Sequence, residues 1–446
     1  MLGFVFRKFY VLEATSWSIF LFTILTAIVS ADWSSDPRIN IPICTAAGGQ
    51  NGPRLISDNA GGAIITWEDG LRDICAQRVD AGGRVLWKDD GVPICSLPVW
   101  ALVDAPQLTS DGAGGAIIAW SDTRSDKDPD IYGLIERKIY AQRVDASGRM
   151  LWKNDGVLIC TAIGSQSYTQ LVSDGAGGAI IAWRDYRSDN ADIYAQRVDA
   201  NGRMLWKNDG VPVCTAVGSQ PYTQLVSDGA GGAIIAWYDE RSGRKFRWDI
   251  YAQRVDASGR MLWENDGVLI CRAAESISFP LISDGAGGAI IAWEEQSIYI
   301  QRVDANGRML WKDDGPSRFI VVNGKTLWKN YGICVFTALY ATASKPQLAS
   351  DGEGGVIIAW RDHPDQYPGR SSGDDIYAQR VDASGRMLWN DDGVPISIQA
   401  KAQSDCQLIS AGVGSGIITW MDYRGNSPWD IYAQNVNADG TLGSGQ

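Results

Sequence analysis

The chain has 446 residues, of which 50 are glycine, 19 tryptophan and 45% hydrophobic, enough apolar material for a large buried core and too much for a disordered chain. Its glycines follow no three-residue period, which excludes collagen. Forty basic residues stand against 52 acidic ones, a net charge of −12, so a nucleic-acid partner, whose phosphates call for a basic surface, is excluded.

In chain order, residues 1–31 come first and read as a secretory signal peptide. Arg7 and Lys8 give a positive start, Trp17 to Val29 an apolar run broken only by Ser and Thr, and Val29-Ser30-Ala31 the small residues of a cleavage site. The run is shorter than the ~20 residues that span a bilayer. The expected address is therefore secreted or in the cell envelope (extracellular, cell surface or periplasm), with no stable membrane span after cleavage.

Residues 32–446 repeat one unit seven times, starting near residues 53, 106, 170, 224, 280, 346 and 406. Its first tryptophan recurs at Trp67, Trp120, Trp183, Trp237, Trp293, Trp360 and Trp420, a mean period of about 59 residues. Within the third unit, Gln170 to Ser173 reads as a short strand. Ala179 to Trp183 is a continuous apolar run buried on both faces, and Asp192 to Val198 alternates. Arg203 to Trp206 together with Val211 to Cys214 is expected to form the fourth strand. Asp174-Gly-Ala-Gly-Gly178 and Asp199-Ala-Asn-Gly202 supply the turns. Four antiparallel strands in each of seven units predict an all-β fold, a seven-bladed β-propeller. The seventh unit stops at Asp439-Gly-Thr-Leu442, and its missing piece stands at the other end as Ile41-Pro-Ile-Cys-Thr-Ala46. That N-terminal strand is expected to close the last blade and hide its edge.

The units resemble bacterial secreted β-propeller repeats with a W-x-D-x-R … D-I-Y-A-Q-R-x-D … G … L-W pattern, a resemblance that implies a fold more than an activity. Arg203-Met-Leu-Trp206 after Asp199-Ala-Asn-Gly202 is also distantly similar to the tryptophan-docking motif of quinoprotein-like propellers. The adjacent cysteine pair of the quinone enzymes is missing here.

Most residue types that could carry chemistry recur too regularly to do so. Six of the eight cysteines (Cys44, Cys95, Cys160, Cys214, Cys271, Cys334) share one register, so they sit on different blades, out of bridging range, as small buried hydrophobes. A Cys44–Cys406 bridge within the closing blade stays open. The triplets Trp120/Asp122/Arg124, Trp183/Asp185/Arg187, Trp237/Asp239/Arg241 and Trp420/Asp422/Arg424 read as blade-to-blade ties, because a catalytic set is needed only once. The Asp-Gly turns offer one carboxylate each, short of a calcium loop. Neither a cofactor nor a metal is expected. The lone histidine, His363, excludes zinc sites built on several histidines.

What varies is the connection from the first tryptophan to the third strand. Its lengths run 7, 19, 10, 13, 5, 16 and 11 residues, whereas the first-to-second and third-to-fourth turns are uniform. All the variation falls on one face of the disc, where binding loops usually sit. That face holds the candidate ligand-binding residues Trp100, Tyr168, Tyr222, Phe246, Arg247, Trp248, Tyr340, His363, Tyr367 and Trp429, rings beside polar groups that suit a glycan or a protein hot spot. The sequence reads as an exported, non-enzymatic binding scaffold for a glycan or protein. The alternative is an extracellular polysaccharide hydrolase or lyase over the central channel, with Asp365, Asp374 or Glu136 as acid and base.

Overall fold

The computed structural model describes residues 41–443 apart from short stretches, the longest being 126–135, 312–320 and 364–372. Residues 1–31, where the signal peptide is expected, lie outside the described residues, and no described helix is long and apolar enough to cross a membrane. Seven antiparallel blade sheets follow one another along the chain, each ordered as a simple meander, and a two-stranded hairpin, Val321–Val322 with Lys325–Thr326, is inserted before the last strand of the fifth. The third is typical: Gln166–Ser173, Ala179–Asp185, Asp192–Val198 and Val211–Cys214. The chain is an all-β, seven-bladed propeller, and the first six blades have four strands each.

In the inner blades the repeated apolar runs are buried on both faces because each of those sheets has a neighbour on each side. Ala179, Ile181 and Trp183 pack against Ile117, Ala119, Ile139 and Ala141 of the blade before. Ile180 and Ala182 pack against Ala233, Ile235 and Trp237 of the blade after. Cys160 and Cys214 join these clusters, and burial pushes their thiols up to about 11 and about 12. All eight cysteines, including Cys44 and Cys406, are free.

The expected fourth strand is shorter than the sequence suggested. Val211–Cys214 pairs with Ala195 to Ile193, but Arg203 to Trp206 adds only a single bridge, Val198 to Met204. The reason is Trp206, which leaves the sheet for the next blade. Its indole N–H donates to the Ala257 carbonyl at 3.0 Å. Trp152 does the same to Ala200, also at 3.0 Å, with its ring lying on Gly202. A Cβ there would stand 3.0 Å from the ring, and φ is +80°, so glycine is required on both counts.

A second tie lies alongside. Asp174 Oδ1 accepts the Ala176 and Gly178 N–H groups, each at 2.8 Å, and Oδ2 takes Arg197, whose other nitrogen reaches the Ala257 carbonyl of the next blade. The same carboxylate–guanidinium–carbonyl chain runs from Asp58 through Arg78 to Ala146 and from Asp111 through Arg143 to Ala200. Both carboxylate oxygens of the turn aspartate are thus engaged in this chain.

The seventh blade is different: Gln403–Ser410, Gly416–Asp422 and Asp430–Val436 make a three-stranded sheet. Ile41 to Ala46 forms no strand against it. Thr45 N–H instead donates to Asp90 at 2.6 Å, the contact that Thr161 and Thr215 make to Asp209 and Asp266 of their following blades. The segment thus holds a fourth strand's place toward blade 1 without pairing to blade 7. Ile431 is 72% exposed, Ile409 62% and Leu55 70%; Ile193 and Ile250, which match Ile431, are buried, and the counterparts of Ile409 and Leu55 in blades 2 to 5 are half-buried.

Candidate functional site

At the face opposite the Asp-Gly turns, the inner strands and links of the first three blades enclose a cavity of about 560 Å³. Its lining includes Arg54, Asp104, Ser121, Arg137, Tyr168, Arg184 and Tyr186. The volume is that of a small-ligand site.

A β-bulge aims one wall. In the third blade the pairing slips between Ala182 and Arg184, so that the inner strand carries an extra residue there. Tyr168 takes φ +54°, a left-handed conformation unusual for a non-glycine residue. Its ring is turned into the cavity and is 46% exposed. Arg184 lies on it, the guanidinium carbon 4.2 Å from the Tyr168 centroid and 5.0 Å from that of Tyr186. Arg184 Nη2 donates to Ser167 Oγ at 3.1 Å, which fixes the fork in place. The same bulge recurs at Lys345 and Asp405, with φ +54° and +50°, and these two side chains form an ion pair with each other.

From Tyr168 an aromatic run leads away over the next blade. Tyr222 meets Tyr168 edge-on at 5.2 Å, Tyr238 meets Tyr222 at 6.3 Å, and Trp248 leans on Tyr238 at 5.4 Å. Burial pushes the Tyr238 phenol well above its usual range, so it serves as packing beneath the more exposed rings.

The other wall carries the carboxyl of Asp104, and Glu68 stands near it outside the lining residues. Asp104 is ion-paired to Arg137 at 2.8 Å and accepts the Ser121 hydroxyl at 2.7 Å. Glu68, half-buried on the neighbouring blade, has its carboxyl raised above the usual range, first by burial and then by the negative charge of Asp104. A carboxyl raised by burial and by a neighbouring carboxylate is suited to giving up a proton in a reaction.

Of the residues expected from the sequence, Tyr168 lines the cavity, and Tyr222 and Trp248 follow it in the aromatic run outside the lining, Trp248 linked to Tyr222 through Tyr238. Trp100, on the link between the first two blades, and His363, on the sixth blade, lie outside the cavity lining. His363 is ion-paired with Asp374, which also holds Arg361 at 3.2 Å. Phe246, Arg247, Tyr340, Tyr367 and Trp429 lie outside the described residues, as does Asp365. Glu136 is occupied in the scaffold, accepting Gly164 N–H at 3.0 Å and pairing with Lys138 at 2.9 Å. Of the expected acid and base candidates, Glu136 and Asp374 hold partners within the chain and lie outside the cavity lining, where Asp104 is the carboxylate. Two of the repeated triplets tie neighbouring blades as expected, through Arg187 and through Arg241, which donates to Cys214 Sγ of the preceding blade at 3.3 Å, while Arg424 lies outside the described residues. Asp185 accepts the Trp183 indole N–H at 2.7 Å and pairs with Arg187, which donates to Cys160 Sγ of the preceding blade at 3.4 Å.

The sequence reading overlooked Arg54, Glu68, Asp104, Arg137, Arg184 and Tyr186. One signal was available. The residue after the first tryptophan is Glu68, Ser121, Arg184, Tyr238, Glu294, Arg361 and Met421 in the seven units, five residue types in seven blades between neighbours that hardly change.

No family model and no curated protein matches the chain. Among solved structures it is similar to a polysaccharide lyase, an ulvan lyase of family PL25 bound to a GlcA-Rha3S saccharide, at 10% identity over 89% of this chain and 95% of that one, with a TM-score of 0.46. It is also similar to an α-L-arabinanase of Penicillium chrysogenum, at 12% identity over 59% and 80% of the two chains and a TM-score of 0.34. A third is an α-L-arabinofuranosidase of Lactobacillus brevis, at 11% identity over 78% and 93%, with a TM-score of 0.31. At these identities the likeness is one of fold. These neighbours are carbohydrate-active enzymes, and the expectation of a non-enzymatic scaffold is corrected on that finding.

Proposed function

We propose that the chain is an exported polysaccharide-active enzyme that breaks glycosidic linkages at the cavity over blades 1 to 3. The observation that carries this reading is the carboxyl pair: Glu68 raised by burial and by Asp104, and Asp104 paired with Arg137 and Ser121. In this reading Glu68 gives its proton to the departing sugar oxygen. Asp104 takes a proton from the attacking water in a hydrolase, or from the sugar ring in a lyase. Tyr168 and Tyr222 offer ring faces on which sugar units stack. Export rests on the signal peptide read in residues 1–31.

The test is a polysaccharide panel incubated with the wild type, Glu68→Gln and Asp104→Asn, following new reducing ends and the ultraviolet absorbance of an unsaturated product. Turnover by the wild type and a loss of about 10²–10⁴-fold in both variants is expected. The absorbance tells elimination from hydrolysis. Equal turnover by wild type and variants would remove the carboxyl pair from the mechanism.

A further inference from the structure

The charges around this cavity run against those of the whole chain. The protein carries −12 overall, yet three arginines, Arg54, Arg137 and Arg184, line the cavity with Asp104 as the one carboxylate among the lining residues. Glu68 alongside is raised toward its neutral form. Arg137 is the arginine that Asp104 neutralises. Elsewhere the same residue type is paired at short range: Arg78, Arg143, Arg197, Arg254 and Arg302 each hold a turn aspartate at 2.8–2.9 Å.

Arg184 has no carboxylate partner among the described residues. Its bonds go to the Ser167 hydroxyl, and its plane is held between the Tyr168 and Tyr186 rings. Arg54 has neither a carboxylate nor a hydrogen-bond partner among the described residues and is exposed at the cavity rim. A guanidinium fixed by stacking, with its fork free of a protein acid, is preorganised for a planar or tetrahedral anion. Low-dielectric walls around unpaired cations focus the field on whatever enters.

Resting on the reading of this cavity as a polysaccharide site, the structure assigns it a substrate with acidic substituents: a polysaccharide whose sugars carry carboxylates or sulfate esters, bound through Arg54 and Arg184. Tyr168 supplies the stacking surface beside each charge. Arg137 keeps Asp104 in position and is a positioning residue here. A neutral polysaccharide would leave Arg184 desolvated by the bound sugar and without a counter-charge, a loss no neutral hydroxyl makes good.

The experiment is affinity electrophoresis of the full chain in gels holding polygalacturonate, dextran sulfate or neutral dextran, with Arg54→Ala, Arg184→Ala and Glu68→Gln run alongside. Retardation by at least one acidic polymer, little by dextran, and a weakening of about tenfold in each arginine variant are expected. Retardation by polygalacturonate points to carboxylate, and retardation by dextran sulfate to sulfate. Arg54 is exposed and makes no described contact, so its variant cannot fail for want of folding. Equal binding of dextran, no binding of either acidic polymer, or arginine variants that bind like the wild type would overturn the assignment. The two readings separate cleanly. Binding of an acidic polymer that is retained in Glu68→Gln, with no cleavage of any polymer, would sink the enzyme and leave the charge preference. Cleavage of a neutral polymer untouched by the arginine variants would do the reverse.

Discussion

The two ends of each blade are made by the same strands and follow opposite rules. At the turn end, Asp58, Asp111, Asp174, Asp228 and Asp284 each hold an arginine of the same blade, and Trp87, Trp152, Trp206 and Trp263 each donate to the next blade's alanine carbonyl at 3.0–3.1 Å. At the cavity end, positions of the same register hold Glu68, Ser121, Arg184 and Tyr238. A contact that joins neighbours is needed at every junction, so its residues recur. A site is needed once, so its residues differ from blade to blade. In this chain repetition marks what holds the ring, and departure from repetition at a fixed register marks what the ring presents.

The comparison is tested hardest at Trp152. Its ring covers Gly202 and its N–H reaches Ala200, so Trp152→Ala removes a junction and opens a cavity between two sheets. We expect a loss of about 3–5 kcal/mol, read from the midpoint of denaturant unfolding. Arg184→Ala, at the other end of the neighbouring blade, should cost about 1 kcal/mol or less. Equal losses would end the division between the two ends.

A smaller effect is expected at the junction that the described contacts leave open. Among the described residues blade 7 has three strands, and Ile431 faces solvent where Ile193, Ile250 and Ile376 of other blades are buried. Ile41 to Ala46 already occupies the matching place on blade 1 through Thr45 and Asp90. We expect this segment to pair with Asp430–Val436 as the ring closes, burying Ile431. Ile431→Ala would then lower stability by about 2 kcal/mol, whereas an exposed isoleucine would change it by less than about 0.5 kcal/mol. Thermal unfolding decides between them.

Glu68 sharpens the comparison through pH. Its carboxyl is raised in the folded chain by burial and by Asp104, so the fold holds that proton to higher pH than the unfolded chain does. Its contribution to stability is present below the unfolded value and is lost as pH rises through the folded one. Glu68→Gln should therefore unfold at a higher temperature than the wild type at neutral pH and show no such gain in acid. A rate that needs the protonated form should fall about tenfold per pH unit above the raised value. A flat profile there would remove Glu68 as the donor.

Much of this was legible before the fold. The continuous run Ala179 to Trp183 required a neighbour on each face, and the turns Asp174 to Gly178 and Asp199 to Gly202 fixed where strands reverse. The site was only partly legible. Loop lengths drew attention to Tyr168, Tyr222 and Trp248, which fall on one aromatic run. Glu68 escaped because its character comes from burial and from Asp104, a residue on the link to another blade, and no spacing within a unit reports either. Arg203 to Trp206 was misread as strand because its apolar pattern serves the next blade and not its own sheet.

The smallest effect is the most specific to the cavity end. Tyr168 is held at φ +54° by the bulge, a conformation that costs an L-residue roughly 1 kcal/mol and glycine nothing. Replacing it with alanine removes the ring and keeps the strain. Replacing it with glycine removes both, at some cost in unfolded-chain entropy. The glycine variant should therefore be about as stable as the alanine variant or more so, by up to about 1 kcal/mol. The two should lose retardation on an acidic polymer equally, because both free Arg184 from one of its two rings. Three unfolding curves and three gels are enough. If alanine proved the more stable, the bulge would be relaxed in solution. If only one variant lost binding, the backbone rather than the ring would be setting the position of Arg184.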